Sequence, residues 1–178
     1  MKAWILSAIA LVEFSVGGCK QQPAFQDPFT RGQIDWRPSL VLGAREAARI
    51  LGNQSRLEKI TAYQDEGTKV YQSAFRDDWH DPSTGRTGIL YYMYGEYMSA
   101  DAAKSFLDST LKANRINPLD GIRTESGAEL HYLTGGNVIR MAMALKGNHL
   151  IRLKVNQMTS HYSLDEFKRV AGKLASQL

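Results

Sequence analysis

The chain has 178 residues, with 22 lysines and arginines against 18 aspartates and glutamates, for a formal charge of +4. Its pI near 9.2 is mildly basic, but charges of both signs are mixed along it, and no basic stripe with interleaved aromatics supports a nucleic-acid role. One cysteine, Cys19, excludes a disulfide framework, so the folded part must hold together by burial, for which the 43 % hydrophobic content suffices.

Lys2 opens the chain, Ala3 to Val12 is mostly apolar, and Val16-Gly17-Gly18-Cys19 follows. Charge, apolar run, then small residues is the order of a secretory signal peptide, and the run is shorter than the roughly 20 residues that span a bilayer. Val16-Gly17-Gly18-Cys19 resembles the lipobox of bacterial lipoproteins, an aliphatic residue, two small residues and a Cys. The resemblance implies that residues 1–18 are removed and that Cys19 is diacylated on sulfur and often acylated again on nitrogen. Two or three acyl chains, at about 0.8 kcal/mol per buried CH₂, anchor a protein durably. Removal of Lys2 and Glu13 takes one charge of each sign and leaves the balance unchanged. In the lipoprotein class an Asp after the lipidated Cys retains the protein in the inner membrane. Lys20 stands there, which implies the outer membrane, facing the periplasm, where the source has two membranes.

Residues 19–38 are the lipidated Cys and a flexible tether rich in Gln and Pro, its ends roughly 20–25 Å apart. Phe25, Phe29 and Trp36 within it either pack on the domain edge or touch the membrane interface or a partner. Residues 39–178 form a single domain. Ala44 to Leu51 is a short helix stopped by Gly52-Asn53. Lys59 to Tyr63 and Lys69 to Phe75 are strands joined at Asp65-Glu66-Gly67, and Gly88 to Met98 is a longer one. Ser99 caps a helix to about Ala113 with Ala102, Ala103, Phe106, Leu107, Thr110 and Leu111 on its inner stripe. Ala128 to Leu133, Val138 to Leu145 and Leu150 to Gln157 are three further strands, turned at Gly135-Gly136 and Gly147-Asn148. A capping box, Ser163-x-x-Glu166, opens the last helix.

The order reads as α+β: one antiparallel sheet of about six strands, helices mainly on one face, and a C-terminal helix. The shared Ser-x-Asp-x-x-Lys at Ser99 and Ser163 suggests two related helix-plus-three-strand halves; two helices capped alike is the other reading. This element order is loosely similar to the sheet-plus-helix folds of PsbP and Mog1-like proteins. The Gly147-Asn148 turn pairs Ala144 with Ile151 and Ala142 with Leu153 on one face, and Met143 with Arg152 and Met141 with Lys154 on the other. The small and aliphatic face suits helices, leaving the Met/Arg/Lys face partly wet.

Chemistry-bearing residues are sparse. The densest polar run is Arg76 to Arg86, read as a long hairpin loop, in which Asp77, Asp78, His80 and Asp81 are weak candidates for a metal, and Trp79 for a partner contact. The EF-hand alternation and a full zinc set are both absent. His131 is expected to face Arg140 as a rim residue, and His149 and His161 are scattered. No Gly-x-Ser-x-Gly elbow or phosphate-cradling glycine loop occurs, and no cofactor is implied. Alternation sends Tyr91 and Tyr97 to one face and Tyr92 and Tyr94 to the other. Tyr92 and Tyr94, with Trp79, Met141, Met143, Arg152 and Lys154, are the candidate ligand or partner face. The expected function is a lipid-anchored cell-envelope protein with a non-catalytic binding or accessory role toward an envelope protein or glycan. The alternative is a small envelope hydrolase or metal-binding protein using Asp77–Asp81.

Overall fold

A computed structural model describes residues 40–52, 55–65, 67–82, 85–135, 138–156 and 162–178. The signal peptide, Cys19, the tether with Phe25, Phe29 and Trp36, the Glu66 and Gly136 turn positions and His161 lie outside the described residues. The element order is α1 (Ala44–Leu51), β1 (Ser55–Asp65), β2 (Thr68–His80), β3 (Thr87–Glu96), α2 (Ala100–Ala113), a 3-10 turn (Pro118–Asp120), β4 (Ile122–Arg123), β5 (Glu129–Gly135), β6 (Val138–Lys146), β7 (His149–Asn156) and α3 (Leu164–Gln177). All pairings are antiparallel, in the order β1-β2-β3-β7-β6-β5-β4. The seventh strand beyond the expected six is β4, two residues long and too short to leave an alternation pattern.

Local chemistry sets the helix ends. Gly52, at φ 83°, closes α1 by donating its N–H to Ala48 O. The Ser99 hydroxyl accepts the Ala102 N–H at 3.1 Å, and that of Ser163 accepts the Glu166 N–H at 3.3 Å. Only half of the expected box forms: the Ser163 N–H donates to Ile50 O at 2.7 Å, tying α3 to α1, while Glu166 turns to Arg169.

Helices pack on both faces. Ile50 and Leu51 of α1 and Phe167, Val170 and Leu174 of α3 join Tyr71, Leu90, Tyr92, Ala142, Ile151 and Leu153 in the larger core. Ala103, Leu107 and Leu111 of α2 cover Val70, Met93, Leu133, Met143 and Leu150 on the reverse. The two-fold relating antiparallel neighbours β3 and β7 runs perpendicular to the sheet and would keep α1 and α2 on one face. The strand plan therefore repeats, and the helix placement does not follow it.

Two bulges re-aim side chains. In the β1–β2 pair, Leu57 faces Phe75 and Lys59 faces Ala74, so Glu58 is the extra residue and alternation inverts across it. In the β5–β6 pair, Leu133 faces Met141 and Thr134 faces Ile139, leaving Arg140 as the extra residue. No helix among the described residues is long and apolar enough to cross a membrane.

Candidate functional site

Because α2 lies over β6 and the nearer part of β7, the far side of its sheet face stays open toward β1. There a cavity of about 390 Å³ is lined by Lys59 and Thr61 of β1, Gln72, Ser73 and Ala74 of β2, Tyr91, Tyr92 and Met93 of β3, and Arg152, Lys154 and Asn156 of β7. Register explains the assembly. Lys59, Ala74, Tyr91, Lys154 and Met141 are successive cross-strand partners in one row, and Thr61, Gln72, Met93, Arg152 and Met143 form the next. Ala74 and Met93 are buried and make the floor, while the Tyr91 ring stands 40 % exposed at the side. The small Ala74 side chain, between Lys59 and Tyr91, makes the depression.

The electrostatics are one-sided. No carboxylate lines the bay, and none lies within 4 Å of the Lys59, Arg152 or Lys154 nitrogens among the described residues. Arg76, one row away, is by contrast neutralised by the bulged Glu58 at 2.5 Å. Near the bay Tyr97 packs on Phe106 of α2, its rings 5.7 Å apart. Burial pushes the Tyr97 hydroxyl above its ordinary pKa, and the Arg152 charge pulls it partly back.

The expected aromatic face is not assembled as the sequence suggested. Met141, Met143, Arg152 and Lys154 do share a face, but Tyr92 and Tyr94 pair with Leu153 and Ile151 on the opposite one and are buried against α1 and α3. The Tyr92 hydroxyl donates to Leu40 O, and the Tyr94 hydroxyl bonds His149 Nδ1 at 2.8 Å. Tyr91 is the tyrosine that joins Arg152 and Lys154. Met143 is covered by α2 rather than open.

The Arg76–Arg86 run is also reassigned. β2 continues through His80, which pairs with Thr87, and Asp77 to Trp79 form a bulge opposite Gly88, so only the stretch after His80 is loop. The four acid and His candidates do not converge. Asp77 is buried, its Oδ1 accepting the Trp79 N–H at 3.0 Å and its Oδ2 without a hydrogen-bond partner among the described residues. Asp78 pairs with Arg56 at 3.8 Å in the open, and His80 Nδ1 approaches Asp78 O at 3.3 Å. The half-buried Trp79 lies on this bulge and not among the bay residues. No group of three His, Cys, Asp or Glu placed to hold a metal occurs among the described residues.

His131 departs from expectation as well. It faces Met143, not Arg140, because the turn falls one residue later than Gly135-Gly136 and the Arg140 bulge adds one more step. It is 1 % exposed, its Nε2 lies 2.5 Å from Glu129 Oε1, and Gly121 backs onto its ring. No family model, curated protein or solved structure matches the chain.

Proposed function

We propose that this chain is a lipid-anchored cell-envelope protein, held by acyl chains on Cys19, whose domain binds through the open bay of its sheet and does not catalyse. The supporting observation is the bay itself: Lys59, Arg152 and Lys154 sit there without ion-pair partners among the described residues, beside an exposed ring. Charges of one sign around a concave floor are costly to the fold by mutual repulsion and are useful to a ligand. An envelope protein or glycan remains the partner class, and the outer membrane facing the periplasm is the place where the source has two membranes.

Intact-mass spectrometry of the membrane-extracted protein, beside a Cys19→Ser variant, tests the anchor. The expected mass begins at Cys19 and carries acyl chains that the variant lacks. An unacylated mass would overturn the lipid anchor.

A further inference from the structure

We infer that the bay takes a phosphate monoester carried on a ring, an inference that rests on the bay being the binding face. Its size sets the first limit. About 390 Å³ lies at the lower end of ligand pockets, suited to a single ring with its substituents and too small for a folded chain segment. Charge sets the second. Three cations face the cavity with no acid in its lining, whereas a monocarboxylate would neutralise only one of them. A phosphate monoester carries about −1.5 to −2 at neutral pH and three acceptor oxygens, which match two ammonium groups and a guanidinium fork.

Geometry sets the third limit. Lys59 and Lys154 occupy strands three steps apart, about 14 Å between backbones at the ordinary strand spacing, with only Ala74 and Tyr91 between them in the row. Arg152 lies two residues along β7, about 7 Å further, on the same face. An anion over Ala74 is thus flanked from both sides, while Tyr91 offers its ring for stacking. Thr61, Gln72 and Asn156 supply hydroxyl and amide groups for ring hydroxyls. The same chemistry occurs in a soluble sugar phosphate and in a phosphorylated lipid headgroup.

The test is an amide-shift titration of the whole chain in a neutral detergent with glucose-1-phosphate, with glucose, and with a short-chain phosphatidylinositol monophosphate. Shifts are expected at Thr61, Gln72, Tyr91 and Arg152 with both phosphorylated probes and not with glucose. Lys59→Glu, Arg152→Glu and Lys154→Glu should each weaken binding about tenfold or more, since one charge-assisted hydrogen bond contributes that much. Lys154→Gln and Arg152→Gln provide neutral variants should reversal disturb the fold. Tighter binding of the lipid probe identifies a headgroup; tighter binding of glucose-1-phosphate identifies a soluble ligand. Glucose binding as well as its phosphate would overturn the anion inference and leave the bay as a binding face. No shift in the bay with any probe would overturn the inference, while the anchor rests separately on the Cys19 mass.

Discussion

Gly121→Ala isolates one packing contact in this fold. The Gly121 backbone, at φ −68° and ψ 136°, is ordinary for any residue, so alanine is opposed only by its surroundings. A Cβ there would stand 2.7 Å from His131 Cε1, 2.8 Å from Nε2 and 3.2 Å from Glu129 Cγ. The imidazole cannot yield cheaply, because it is 1 % exposed, faces Met143 and is bonded to Glu129. Overpacking of this kind costs about 1–3 kcal/mol, offset by about 0.4–1 kcal/mol from the lower entropy of the unfolded chain. The expected net loss is about 1–2 kcal/mol, read by urea and thermal unfolding followed by circular dichroism, at roughly 2–4 °C per kcal/mol. In a His131→Ala background the obstructing ring is gone, and the same substitution should cost less than about 0.5 kcal/mol. Gly172→Ala, within α3 and with nothing within 4 Å of its new Cβ, should instead stabilise by about 0.5–1 kcal/mol. An equal cost of Gly121→Ala in both backgrounds would refute the clash.

Two further outcomes follow from burial. Leu107→Ala, at a fully buried position on the inner face of α2, should cost about 2–5 kcal/mol in urea unfolding, whereas Leu119→Ala, 88 % exposed on the 3-10 turn, should stay within about 0.5 kcal/mol. Burial also pushes the phenols of Tyr92, Tyr97, Tyr132 and Tyr162 above their ordinary pKa, Tyr92 the furthest. The unfolded Tyr92 phenol then ionises first, so its contribution is intact below pH about 10 and is lost as pH rises above it, by up to about 1.4 kcal/mol per pH unit. Tyr92→Phe, which strips Leu40 O of its donor, should be less stable at neutral pH by about 1 kcal/mol, with the gap to the parent narrowing in urea titrations above pH about 10. Parallel curves for the two proteins would contradict this.

Sequence alone determined the elements and one complete register. Helix caps at Gly52, Ser99 and Ser163, and the period of the apolar residues, are local signals, and they placed all three helices and six of the seven strands. The β6–β7 pairing was legible because its turn, Gly147-Asn148, is too tight to allow a second register, and so Arg152 and Lys154 were assigned to one face with Met141 and Met143. Period-two alternation also separated Tyr91 from Tyr92 and Tyr94, but it could not say which set meets the helices. That depends on β3 pairing with β7, a contact between segments about sixty positions apart that no local pattern encodes. The same limit hid Lys59 and His131. Glu58 bulges and carries Lys59 to the open face, and the Arg140 bulge with its displaced turn moves His131 under cover. A bulge shifts facing by one residue, which inverts alternation, and its position is fixed by packing against the neighbouring strand. The three cations and the exposed ring of the bay were all present in the sequence; only the assembled sheet brought them together.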